Sequence, residues 1–173
     1  MSLNWLELSD NTDPSNPLPF VLLENESLRF RSPKRITIKL NPINNKNHET
    51  ISSNNGTMYL TNKRLIFISE TNLRIDKNYH NEINNFNNFV LLFNSILSFG
   101  LENSWFGPNK WHCLFKINNP DGGLNYLYQW KILLIFNDGG MFDFAKAFES
   151  TFNDFKNNSL FVQNEQLPVY SEI

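Results

Sequence analysis

From Ser27 onward, apolar and polar residues alternate with the period of extended chain. Leu28 and Phe30 are separated by Arg29, and Ile36, Ile38 and Leu40 by Thr37 and Lys39. The segments Gly56–Thr61 and Arg64–Ser69 read as two strands joined by Asn62-Lys63, a two-residue hairpin link in which Asn62 is the expected carrier of positive φ. Ser95–Leu101, Lys110–Asn118 and Tyr126–Phe136 extend the β pattern. The last is apolar enough to predict burial on both faces over part of its length. Asp121-Gly122-Gly123 and Asp138-Gly139-Gly140 supply tight corners. Beyond the second corner the period changes: Phe144, Ala145, Phe148, Phe152 and Phe155 recur at three and four residues, which predicts an amphipathic helix of about twelve residues with one aromatic stripe. Seven or eight strands followed by one C-terminal helix define an α+β fold. A partly open barrel plugged by that helix would bury every apolar position named.

Composition sharpens this picture. The chain has 173 residues, 40% of them apolar and 14% aromatic, which is enough for one domain with a core of its own. The longest apolar runs, Phe89–Phe93 and Ile132–Phe136, fall far short of the roughly 20 residues of a membrane-spanning helix. The start, Met1-Ser2-Leu3-Asn4-Trp5, carries neither the basic nor the apolar part of a signal peptide, and the single cysteine, Cys113, fits a reducing compartment. The expected location is the cytoplasm, with the nucleus as a second. Residues 9–20, with three prolines, read as an irregular lead-in, and the 29 asparagines cluster at 41–55 and 78–88, which read as long surface loops.

Net charge is -2, which argues against nucleic-acid binding by bulk electrostatics. The cations are nevertheless concentrated: Ser27–Lys77 holds ten Lys or Arg against Glu49, Glu70 and Asp76. Catalytic chemistry finds no convergent set. His48 and His80 lie in the asparagine-rich loops, while His112 and Cys113 are strand neighbours that must point to opposite faces. No metal-spaced Cys/His cluster, P-loop or Gly-x-Ser-x-Gly motif is present. The expectation is a protein that is not an enzyme and uses no metal or cofactor.

The stretch Gly56-Thr57-Met58-Tyr59-Leu60-Thr61-Asn62-Lys63-Arg64-Leu65-Ile66-Phe67 resembles the signature hairpin of the GRAM domain. Trp105-Phe106-Gly107-Pro108-Asn109 and Lys131–Phe144 are similar to segments of the WW-domain-binding protein 2 family, and Met1–Trp5 to the opening of its fungal members. The resemblance implies a PH-like barrel capped by a helix, here at about residues 20–157. Residues 1–19 would be the lead-in and 158–173 a tail. It also implies a C-terminal Pro-Pro-x-Tyr ligand for WW domains of ubiquitin ligases or transcriptional regulators. This chain has Leu167-Pro168-Val169-Tyr170 at that place, with leucine for the first proline. WW domains read polyproline II segments, so Pro168 and Tyr170 would fill adjacent pockets while Leu167 contributes apolar contact without stiffening the chain. By family analogy the adaptor would serve as a transcriptional coactivator.

PH-like barrels as a superfamily often bind phosphoinositides, which makes Lys34, Arg35, Lys39, Lys63 and Arg64 candidates for an anionic lipid headgroup. Arg64 belongs to the hairpin signature and has an alternative role in the fold, through a hydrogen bond or ion pair. Trp105, Phe106 and Trp111 mark either core or an exposed partner site.

Overall fold

The computed structural model describes residues 2–3, 6–9, 17–43, 50–70, 74–76 and 87–164. The described residues form ten strands and one long helix: β1 (Ser2–Leu3), β2 (Leu28–Arg31), β3 (Ile36–Pro42), β4 (Thr50–Thr61), β5 (Arg64–Ser69), β6 (Arg74–Asp76), β7 (Asn88–Leu92), β8 (Ile96–Glu102), β9 (Lys110–Lys116), β10 (Gln129–Phe136) and α1 (Met141–Asn164). Eight of the strands follow one another in the order β1-β7-β5-β4-β3-β10-β9-β8, every neighbour antiparallel, and the short β2 and β6 both pair with β4. The result is the α+β architecture expected, a partly open barrel capped by its C-terminal helix, consistent with a PH-like arrangement.

The alternation read from the sequence becomes the inside and outside of this barrel. On β3, Ile36, Ile38 and Leu40 are fully buried, and on β10 Trp130, Ile132 and Leu134 are buried beside them. The helix closes the core with its phenylalanines. Phe148 lies 4.8 Å from the Trp111 ring and 4.9 Å from Phe99, while Phe93 packs edge-on against Phe148, Phe152 and Phe155 at 5.3–5.9 Å. Each edge-on pair adds roughly 0.5–1.5 kcal/mol beyond area burial. A second, smaller core lies on the opposite face of the β4-β5-β7 sheet, where Leu6, Leu18 and Phe20 from the N-terminal segment cover Tyr59, Ile66 and Val90.

Several local expectations are corrected. The helix is 24 residues, twice the length that the aromatic stripe marks. No proline or glycine lies between Phe155 and Asn164 to end the backbone ladder, so the helix continues past Phe155. Residues 50–55, expected in a loop, form the first half of β4, because β3 offers a free edge and Ile51 and Ser53 pair with Leu40 and Ile38. The run Phe89–Phe93, which showed only as an apolar stretch, contains most of β7 and opens a 3-10 turn at Phe93–Ser95, so β8 begins one residue late.

β9 stops at Lys116, two residues short of the expected end. β10 begins only at Gln129, since Asn125 folds the preceding residues into a turn in which its Oδ1 accepts the Leu127 N–H at 3.0 Å. One face of β10 is buried and the other partly covered, so it is not a strand buried on both faces. Positive φ in these turns falls on Asn25 and Arg35, not on Asn62.

Candidate interaction surfaces

The β4–β5 hairpin turns out to be a clamp. Thr61 Oγ1 accepts the amides of Lys63 and Arg64 at 3.1 and 3.0 Å, which folds the link tightly without a left-handed residue. Asn62 is used through its side chain: Oδ1 accepts the Ser27 N–H at 2.8 Å and Nδ2 donates to the Asn25 carbonyl at 3.1 Å. Lys63 Nζ donates to the Glu24 carbonyl. Arg64 completes the set. Its Nε and Nη2 donate to the two oxygens of Glu26 at 2.8 and 3.0 Å, and Nη2 also reaches the Val21 carbonyl at 3.1 Å. All four residues from Thr61 to Arg64 therefore hold the segment between Val21 and Ser27 against the barrel.

Glu26 and Arg64 form a buried ion pair with side chains 0% and 8% exposed. Burial by itself would raise the Glu26 carboxyl. Hydrogen bonds from Arg64, the Leu23 N–H and Thr61, with the guanidinium charge beside them, hold it below the ordinary carboxylate value. Of the two roles open to Arg64, the structure displays the internal ion pair.

Arg35 sits at φ 59° in the turn between β2 and β3, a costly conformation for a residue with a Cβ. The opposite corner of the chain braces it. Asn137 Nδ2 donates to the Arg35 carbonyl at 2.6 Å and to Thr37 Oγ1 at 2.9 Å, while the Arg35 guanidinium pairs with Asp138. That pairing raises Arg35 and lowers Asp138 relative to their ordinary values. The Asp138-Gly139-Gly140 corner accordingly does more than turn the chain. Gly139 and Gly140 take φ of 82° and 89°, and a Cβ on Gly140 would come within 3.3 Å of Pro33.

The five basic candidates are not brought into one cluster. Arg35 adjoins Ile36, which faces Gly56 on β4, whereas Lys63 follows the other end of that strand after Thr61. Five residues of extended chain separate the two levels by about 17 Å. Lys39 lies farther along, opposite Ser52, and both Lys34 and Lys39 are exposed. Lys63 instead shares a cleft of about 640 Å³ with Arg29, Asn94, Asp154 and Asn158, between the hairpin and the helix. Sequence reasoning missed Glu26 and Asp138 as partners of these cations, since nothing in their local pattern marks them.

The three aromatic candidates divide. Trp111 is 1% exposed and packed among Phe99, Phe144 and Phe148, whereas Trp105 and Phe106 are 96% and 95% exposed at the tip of the β8–β9 hairpin. Their loop is ordered by Gly107 at φ 127° and by the Ser104 hydroxyl, which donates to the Phe106 carbonyl at 2.9 Å.

His112 and Cys113 face opposite sides of β9, as strand geometry requires. Cys113 is fully buried, and desolvation pushes its thiol far above the ordinary range. His112 is held below its ordinary value by partial burial and by Lys131, with Glu102 opposing. Among the described residues no group of three or more His, Cys, Asp or Glu is spaced to hold a metal. No helix of the described chain is long and apolar enough to cross a membrane. The Leu167-Pro168-Val169-Tyr170 motif lies outside the described residues.

No protein-family model matches this chain, and comparison with curated protein sequences finds no match.

Proposed function

We propose that this protein is a non-catalytic adaptor: a GRAM-type, PH-like barrel that presents Leu167-Pro168-Val169-Tyr170 to a WW domain of a ubiquitin ligase or transcriptional regulator. The observation that carries this reading is the course of α1. Its phenylalanine stripe ends at Phe155, residues 156–160 are all exposed, and the motif follows only three residues after Asn164. The exposed course of residues 156–160 supports a reading in which the segment after the helix serves a partner instead of the core. The chemistry of Cys113 supports the non-catalytic part, because a buried thiol with a strongly raised pKa is a poor nucleophile. The motif has one proline where two would stiffen it, so micromolar or weaker binding is expected, about -6 to -8 kcal/mol. The test is calorimetric titration of a WW-domain panel with the full chain and its Tyr170→Ala variant. Micromolar binding that vanishes with the substitution supports the reading, and no binding by any member overturns it.

A second reading, an anionic lipid headgroup at the barrel surface, is favoured by Arg29 and Lys63 lining the same cleft. It predicts co-sedimentation with phosphoinositide vesicles that weakens sharply with salt and with Lys63→Glu. Binding unchanged by both treatments would overturn it.

A further inference from the structure

We propose that the groove between β8 and the first turns of α1 binds an extended apolar peptide of a partner protein, which adds to the barrel as a strand on β8. The first ground is the open edge. β8 ends the strand order, and among the described residues its only strand partner is β9. Among the described residues, no main-chain group from another element pairs with its outer side. Along its seven residues, about 23 Å, the alternate residues that turn their N–H and C=O away from β9 form an open edge, which a strand satisfies and a compact ligand does not.

The second ground is the wall facing that edge. Phe142, Ala145, Lys146 and Glu149 of α1 stand across a groove of about 410 Å³ from Phe99, Gly100 and Leu101, with Trp111 as its floor. Leu101 and Phe142 are 41% and 65% exposed, large side chains left on either side of an unfilled space. Trp105 and Phe106 continue the apolar surface from the end of β8. With Leu97, five of the thirteen exposed large hydrophobic side chains among the described residues fall on this strand, its loop and the facing helix turn.

Charge and space choose the occupant. The groove carries one charge of each sign, Lys146 and Glu149, so it selects neither an acidic nor a basic segment. An uncharged strand with aliphatic or aromatic side chains at alternate positions matches it, because every second residue would turn toward the same face, the one that the groove lines with Phe99, Leu101 and Phe142. The first turns of the helix line the groove beside the open edge. A second copy of the protein pairing β8 with β8 would have to bring its own helix into the same space.

The test uses the full chain as bait for a phage library of random twelve-residue peptides. Enriched peptides are then synthesised with a fluorescein label and titrated by anisotropy. Expected are apolar sequences whose affinity changes little with salt and falls by about tenfold or more with Phe142→Ser and, independently, with Leu101→Ser. Both residues are exposed, so the variants should melt like the parent protein. N-methylation of the peptide backbone should abolish binding at alternate positions only, a pattern that apolar contact alone would not produce. The proposal is overturned if no peptide is enriched or if the winners bind both variants unchanged. Tolerance of N-methylation at every position would also overturn it. A Leu101-dependent dimer in light scattering would assign the groove to a second copy, and competition by a peptide of residues 165–173 would assign it to the chain's own tail.

Discussion

Replacing Glu26 with Gln keeps the shape of the side chain and removes its charge, which makes it a direct probe of the hairpin clamp. In the folded protein the carboxylate accepts four hydrogen bonds: two from Arg64 at 2.8 and 3.0 Å, one from Thr61 Oγ1 at 2.6 Å and one from the Leu23 N–H at 2.7 Å. An amide has one oxygen to offer these four donors, and its NH₂ meets donors on the other side. The buried guanidinium loses its counter-charge at the same time. Removing one partner of a buried pair typically costs about 3–5 kcal/mol, a large share of the roughly 5–15 kcal/mol that stabilises a domain.

With a urea m-value of about 2 kcal/mol/M, the midpoint should fall by roughly 1.5–2.5 M. Urea is preferred to guanidinium because it leaves ion pairs unscreened. The double variant Glu26→Gln, Arg64→Met should lose less than the sum of the single losses, since methionine removes the stranded charge. The sign with pH is fixed by the lowered carboxyl. Its contribution is complete above the unfolded-state value and disappears as pH falls through the depressed folded value, so Glu26→Gln should flatten the acid limb of the stability profile. A loss below about 1 kcal/mol, or an unchanged acid limb, would refute the clamp as an energetic element.

Three further outcomes follow from the core. Phe148→Ala removes the ring that touches Phe93, Phe99 and Trp111, and it should lower stability by about 3–5 kcal/mol in the same urea assay. Gly56→Ala should cost about 1–3 kcal/mol or more, because the new methyl would lie 2.2 Å from Phe67 Cζ and 2.7 Å from the Ile68 carbonyl oxygen, and the backbone cannot yield as a side chain would. Cys113 should resist a thiol-reactive chromophore in the native protein and react at once in denaturant. Prompt native reaction would contradict its burial.

What was legible in the sequence was periodicity. Ile36-x-Ile38-x-Leu40 and the Phe144–Phe155 stripe state which side faces inward, and burial obeys them because each apolar position has only one direction in which to leave water. The limits of elements were less legible where a partner strand or a missing helix breaker decides them, as at residues 50–55 and 156–164. Partnership across the chain was not legible at all. Arg64 meets Glu26 across 38 residues and Arg35 meets Asp138 across 103, and in both cases the anion stands in a stretch whose local pattern serves a turn or a loop. Trp105 and Trp111 show the same limit from the other side. They are chemically alike and six residues apart, and only the position of the hairpin tip relative to α1 sends one to solvent and the other to the core.

The concentration of cations between Ser27 and Lys77 acquires a different meaning once these partners are known. A local excess of charge suggests an external anion when charges are counted along the chain. In three dimensions, the acids that answer Arg64 and Arg35 come from just before that window and from the far end of β10. Lys63 donates to a main-chain carbonyl. Of the five candidates, Lys34 and Lys39 therefore stay exposed but separated along β3 and the turn before it, while Lys63, with further N–H donors on its ammonium, lines the cleft with Arg29. Two separated lysines give a bilayer about 2 kcal/mol of attraction, too little to hold a protein at its surface. Binding to anionic vesicles should be weakened far more by Lys63→Glu than by Lys34→Glu, because Lys63 shares a concave surface with another cation, Arg29. Equal effects of the two substitutions in a vesicle sedimentation series would place the attraction in the diffuse field of the barrel and remove the cleft from the explanation.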